Sequence, residues 1–257
     1  MQYSFSYFKN NMPAWKRKKD PVLSKIFYRP ISFFTASICA KMGVMANTVS
    51  YISIIVAIVA CALFVVPGNY YAHIAGAILI NIWLIMDCTD GNLARGVRKQ
   101  PFGEFADGVS SYILVGLMCI AMSMAVFFSG GAVFAKGNPW IILLGALASI
   151  SDTMMRLIYQ KYTNVKRDME DKLIIPSEKD EHKDVANVGS LKSRLENELG
   201  VGGILPVFIM LATIFDFLDV VILYCAVYYG GACVVSSISF MRKSIEYTAQ
   251  YQDKMPQ

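Results

Sequence analysis

Charge is scarce in this sequence. Only 17% of its 257 residues are Asp, Glu, Lys or Arg, where a soluble domain carries about 25%. A deficit of that size excludes a typical water-soluble enzyme and a disordered chain. Histidine is nearly absent, with only His73 and His182. The six cysteines (Cys39, Cys61, Cys88, Cys119, Cys225, Cys233) lie mostly in apolar stretches and show no CxxC spacing. They read as small buried hydrophobes, which excludes a disulfide framework and a cysteine zinc site. The N-terminus has no short apolar region followed by a small-residue cleavage site, so no cleavable signal peptide is expected. No internal repeat is present.

Long apolar runs are what the chain does have. It is 55% hydrophobic, its mean hydropathy is +0.45, and short polar stretches divide the runs as a polytopic membrane protein requires. The fold class expected is all-α: an integral membrane bundle of six transmembrane helices behind an N-terminal interfacial amphipathic helix. Spans are expected at roughly 48–66, 70–95, 105–129, 138–160, 201–217 and 219–241. The net charge is +5, and all basic residues but Lys136 fall at 9–41, 95–99, 156–194 and 242–254. Six spans put these four clusters on one side. The positive-inside rule makes that side cytoplasmic, together with both termini and the polar chemistry of the site. Because the cations sit at span ends beside acidic residues, no nucleic-acid partner is expected.

Residues 1–46 form a cytoplasmic or interfacial segment that opens on Lys16, Arg17, Lys18 and Lys19. Charges at Lys25, Arg29 and Lys41 make the following stretch a poor span. An interfacial helix suits it better, with aromatics in the lipid boundary and cations toward anionic headgroups. Residues 47–247 form the six-helix domain, and 248–257 a tail. Within the domain, 161–200 is a long cytoplasmic loop ending in an amphipathic helix at Leu191, Leu195 and Leu199. It has too few apolar residues to bury a core of its own.

The segment that carries chemistry is Asp87-Cys88-Thr89-Asp90-Gly91-Asn92-Leu93-Ala94-Arg95, followed by Gly103, Asp107 and Ser111. On a helix, positions 87, 90, 91, 94 and 95 share one face, and 103, 107 and 111 share a face of the next. Two antiparallel helices joined by a short loop can thus aim Asp87, Asp90 and Asp107 at one point. Three converging carboxylates repel unless a hard cation sits among them, and oxygen-only ligands favour Mg²⁺ or Mn²⁺ with substrate phosphates completing the shell. The competing reading, acidic span ends meeting water or pairing with Arg95, Arg98 and Lys99, suits one Asp better than three in register.

These residues resemble the signature of the CDP-alcohol phosphotransferase (CDP-alcohol phosphatidyltransferase) family, D-x2-D-G-x2-A-R followed by G-x3-D-x3-D. Asp87, Asp90, Gly91, Ala94, Arg95, Gly103 and Asp107 match it in order and spacing. The resemblance implies a membrane transferase that moves a substituted phosphate from a CDP-linked alcohol to an acceptor hydroxyl and releases CMP, in phospholipid or cell-envelope polymer synthesis. It implies metal at Asp87, Asp90 and Asp107. The nucleotide would be bound by those first two aspartates with Gly91, Ala94, Arg95 and Gly103, and by Asn47 and Thr48 at the start of the first span. Membrane lipid and a homodimeric assembly are the expected partners.

One position departs from the signature. The family's fourth Asp, its usual base and second-metal ligand, falls on Ser111, so Asp107 and the Ser111 position are the catalytic candidates. Three accounts of Ser111 stand: a subfamily with another base or a single metal, an inactivated variant, and a catalytically silent CDP-alcohol-binding pseudoenzyme. The intact remainder of the motif favours the first. Glu104 and Asp152 are conceivable substitute bases, each read more simply as a surface or capping carboxylate. Arg156 suits an acceptor phosphate and a snorkelling positive-inside role about equally. Asn47 and Thr48 are also explained by a helix cap. A transporter would instead carry broken helices and charge at mid-membrane depth.

Overall fold

The computed structural model describes residues 3–176 and 198–252, and every regular element among them is a helix. Five helices are long and apolar enough to cross a membrane: α4 (Ala46–Val65), α5 (Tyr70–Gly96), α6 (Gly103–Ser129), α7 (Trp140–Asp171) and α9 (Leu218–Tyr251). Side chains such as Ile55, Leu143, Ile150 and Val227 are exposed on the outside of the bundle. In a soluble protein that much outward apolar surface would drive association, so the chain is a multi-pass membrane protein.

The expected span at 201–217 takes a different form. It contains only α8, Leu205–Ile214, ten residues that rise about 15 Å where the hydrocarbon core is about 30 Å thick. Gly200, Gly202 and Gly203 break the helical run before it, and Phe215 to Phe217 after it, where Asp216 turns with φ of 59°. The Tyr70 hydroxyl nevertheless donates to the Ile214 carbonyl at 3.2 Å. That contact sets the C-terminus of α8 beside the N-terminus of α5.

The bundle order follows from such contacts. Helix α4 packs on α5 and α6, α7 packs on α6 and α9, and α8 lies against α5. Where α4 meets α5 and α6 meets α7, the backbones approach closely. A Cβ on Gly76 would lie 2.8 Å from the Ala60 carbonyl oxygen, and one on Gly145 2.6 Å from that of Cys119. At the end away from the acidic motif, buried Asp219 accepts the backbone N–H groups of Val133 and Phe134 at 2.6 and 2.9 Å. This fixes the α6–α7 connection to the start of α9.

Residues before α4 are helical in several pieces, and the stretch expected as an interfacial helix, from Asp20 to Met42, is helical over 22–41. They break into α1 (Phe5–Asn10), α2 (Ala14–Lys19), a π turn (Ser24–Tyr28) and α3 (Arg29–Lys41). Pro13 and Pro21 separate the pieces, since proline cannot continue a helix through its own position. Phe8, Tyr28 and Phe33 are buried, whereas Ile26, Phe27 and Phe34 are exposed. The Tyr28 hydroxyl donates to Asn81 on α5 at 2.5 Å, and Tyr7 donates to the Gly96 carbonyl at 2.6 Å. The polar loop expected from 161 begins later, because α7 continues to Asp171. Leu191, Leu195 and His182 lie outside the described residues.

Candidate active site

The two motif helices, α5 and α6, are antiparallel and joined by only 97–102, which places Asp87, Asp90 and Asp107 at one end of the bundle. The Asp87 and Asp107 carboxyls are within hydrogen-bonding distance of each other. Asp87 is half-buried and Asp107 exposed, so the pair opens outward. Asp90, one turn beyond Asp87, is buried and accepts the Ser50 hydroxyl of α4 at 2.5 Å. It lies within electrostatic reach of the other two. Among the described residues no three His, Cys, Asp or Glu side chains are grouped closely enough to hold a metal ion. The geometry is thus a carboxyl pair with a third carboxyl turned aside to a serine.

Below the pair a buried polar chain ties the three helices. Ser53 and Ser110 share a hydrogen bond of 2.6 Å, and the Trp83 indole donates to Ser110 at 2.9 Å. Ser50 and Ser53, three apart in an apolar helix, are the sequence signal of this polar face.

Asn47 does not cap its helix. Helix α4 starts at Ala46, and the Asn47 side chain instead donates to the Pro101 carbonyl at 2.9 Å, while its backbone N–H donates to Gln100. Its Oδ1 is buried without a hydrogen-bond partner, 3.4 Å from where a Cβ on Gly103 would stand. Asn47 and Gly103 are therefore neighbours, and Thr48 beside them is exposed. Arg95 folds back over the bare face of Gly91: a Cβ there would lie 3.1 Å from its guanidinium. The same group donates to Asn92 at 3.1 Å. Ala94 packs against the apolar cluster that includes Phe8 and Ala36 of the N-terminal segment.

Ser111 is half-buried on α6, one turn beyond Asp107. Glu104, next to Asp107, pairs with Lys99 at 3.3 Å on the surface. Asp152 belongs to another place. It is 1% exposed, binds Arg156 at 3.0 Å, and its neighbours are Cys119 and Tyr229. Cys119 is about 18 Å along α6 from Asp107 at 1.5 Å per residue. Arg156 also stands over the Tyr112 ring, 5.8 Å from its centroid, next in sequence to Ser111. His73 bonds the Val66 carbonyl at the far end of the bundle.

The N-terminal segment covers this end, which the sequence did not indicate. Asp20 is held by Arg29 through two hydrogen bonds of 2.7 and 2.9 Å. Lys16 lies 3.9 Å from Asp20 and faces Asp87 and Asp107 electrostatically. Burial, and after it the Arg29 guanidinium, holds the Lys16 ammonium below the ordinary lysine range.

A helical membrane bundle with three motif aspartates at one end, beside a short turn between two of its helices, defines the class of protein. Residues 43–175 match CDP-alcohol phosphatidyltransferase, and the chain belongs to that family. No individual curated protein is similar enough to the chain to add to that match.

Proposed function

We propose that the protein transfers a substituted phosphate from a CDP-linked alcohol to an acceptor hydroxyl at the membrane, releasing CMP. Membership of the family carries the general reaction. The observation that ties it to residues is the contact between the Asp87 and Asp107 carboxyls, from two different helices, within the family's motif. Two such carboxyls at neutral pH need a proton or a cation between them. Oxygen donors in an open setting fit Mg²⁺ or Mn²⁺, which Mg²⁺ in particular completes with substrate phosphates and water rather than with a full protein cage. Asp90 would add a third ligand by leaving Ser50. When bound, the metal would neutralise the diphosphate and stabilise the departing phosphate of CMP.

The chain's own residues have distinct tasks in this reading. Gly91 and Ala94 keep the α5 face low enough for the nucleotide. Asn47 Oδ1, an acceptor without a donor, suits the exocyclic amine of cytosine, and Thr48 and Gly103 border it. Arg95, now turned onto Asn92, reaches toward the phosphates. The acceptor oxygen attacks the phosphorus that bears the alcohol, the bond to CMP breaks, and the hydroxyl proton leaves by the exposed side of Asp107, past Ser111. Holding both reactants in line and neutralising charge would supply most of the acceleration. Arg156 beside Tyr112 is placed for an acceptor phosphate. A lipid substrate can enter from the apolar outer surface, and a homodimer belongs to the same reading.

We place this end of the bundle, and both termini, in the cytoplasm, with α8 and the residues before it completing a sixth passage. The exposed Ile26, Phe27 and Phe34 would rest at the membrane surface. Ser111 favours one second reading, a silent CDP-alcohol-binding protein, because it stands where the family has a base. Binding of a CDP-linked alcohol by the purified protein, with and without Mg²⁺, tests the nucleotide assignment. Affinity should rise with metal in the wild type and lose that rise in Asp87→Asn. Equal, metal-independent affinity in both would contradict it.

A further inference from the structure

We propose that Lys16, carried in from the N-terminal segment, is a positioning residue for the diphosphate of the CDP-linked donor. This rests on the transferase reading above and goes beyond the motif on α5 and α6.

Lys16 sits in α2, 3.9 Å from Asp20 on its own segment and within electrostatic range of the Asp87–Asp107 pair. Its side chain is about a third exposed, at 31%, so the ammonium is at the rim of the site rather than sealed in. Asp20 is the nearest carboxylate, but at 3.9 Å it makes no hydrogen bond to Lys16, and both its oxygens are engaged by Arg29. The Asp20–Arg29 pair is itself buried. It therefore acts as a fixed strut that ties the end of α2 to the start of α3 and leaves the Lys16 donors free for a further acceptor. Arg29 and Arg95 add positive potential around Lys16. A cation crowded in this way is relieved by an anion.

The anion that fits must also meet the carboxyl pair through a shared cation. A diphosphate does so, giving one set of oxygens to the metal and another to the ammonium. A lysine reaches such an oxygen as a flexible point charge.

The test compares CDP with CMP binding to the full chain in detergent with Mg²⁺, together with the KM and kcat of transfer. Lys16→Gln should weaken CDP about tenfold, the worth of one charge-assisted hydrogen bond, raise the donor KM similarly, and leave CMP affinity and Tm nearly unchanged. Lys16→Arg should keep most of the CDP affinity. Wild-type CDP affinity in Lys16→Gln overturns the assignment. So does an equal loss of CDP and CMP binding in both variants with a lowered Tm, which marks a merely structural lysine. No metal-dependent CDP binding by the wild type would remove the transferase reading, and Lys16's role with it.

Discussion

Ser111 is the residue on which the proposed chemistry turns. It is half-buried, a turn beyond Asp107 on the same α6 face, and serine does not accept a proton at neutral pH. The rest of the motif is intact, so the site is read as one adapted to serine. Ser111→Asp then gives no large increase in CMP release, because a fourth carboxylate crowds a pair already in contact. A general base contributes ~10²–10⁴-fold, so a rise of that size in the variant would show the serine to be a lost base. At the same scale, Asp90 is held by Ser50 at 2.5 Å. Ser50→Ala frees the Asp90 carboxylate to turn toward Asp87. Its metal-dependent nucleotide affinity should change, while Asp90→Asn should weaken metal dependence as Asp87→Asn does. Identical metal titrations for wild type and Ser50→Ala would contradict the coupling.

At the scale of elements, apolar runs and their polar breaks were enough to locate α4, α5, α6 and the beginnings of α7 and α9 to within a few residues. Periodicity was less informative where polar residues continue a helix. Helix α7 passes Lys161 to reach Asp171 because Tyr159 and Tyr162 pack on Phe240 of α9, a tertiary contact with no local signature. The segment at 201–217 looked like a span by composition, yet its glycines leave only ten helical residues. Of the aromatics in the expected interfacial stretch, Phe27 and Phe34 are exposed and Phe33 is buried, and that burial depends on partners far along the chain. The motif spacing aims three acidic residues of two successive helices at one point, whereas the structure pairs Asp87 with Asp107 and turns Asp90 to Ser50. The spacing could not reveal that Ser50 occupies Asp90, or that Lys16 approaches from the N-terminus. Helix contact itself is testable at Gly145, where a methyl meets the Cys119 carbonyl and Ser123. Gly145→Ala should destabilise the α6–α7 pair by about 1–3 kcal/mol, whereas at Gly116 the nearest atom is Thr153 Oγ1 at 3.6 Å and alanine is accommodated. Equal Tm values for the two variants would contradict that packing.

For the whole molecule, two ends of the bundle are distinct. One gathers Asp87, Asp90, Asp107, Lys16 and Arg29; the other joins α8 and α9 beside Tyr70, Val133 and Phe134. Single cysteines introduced at Lys172 and Tyr71, both exposed, should react with a membrane-impermeant thiol reagent from opposite faces, Lys172 from the cytoplasm. Labelling of both from one face would contradict the orientation. The central claim is the transfer itself. Its most direct measurement is CMP release by the purified protein from a panel of CDP-linked alcohols, with hydroxyl acceptors and Mg²⁺ or Mn²⁺ supplied. The account predicts CMP and phosphodiester product in equal amounts, dependent on metal and abolished by Asp87→Asn and Asp107→Asn. Nucleotide bound with no CMP released for any donor and acceptor pair would contradict it and leave a binding protein without transferase activity.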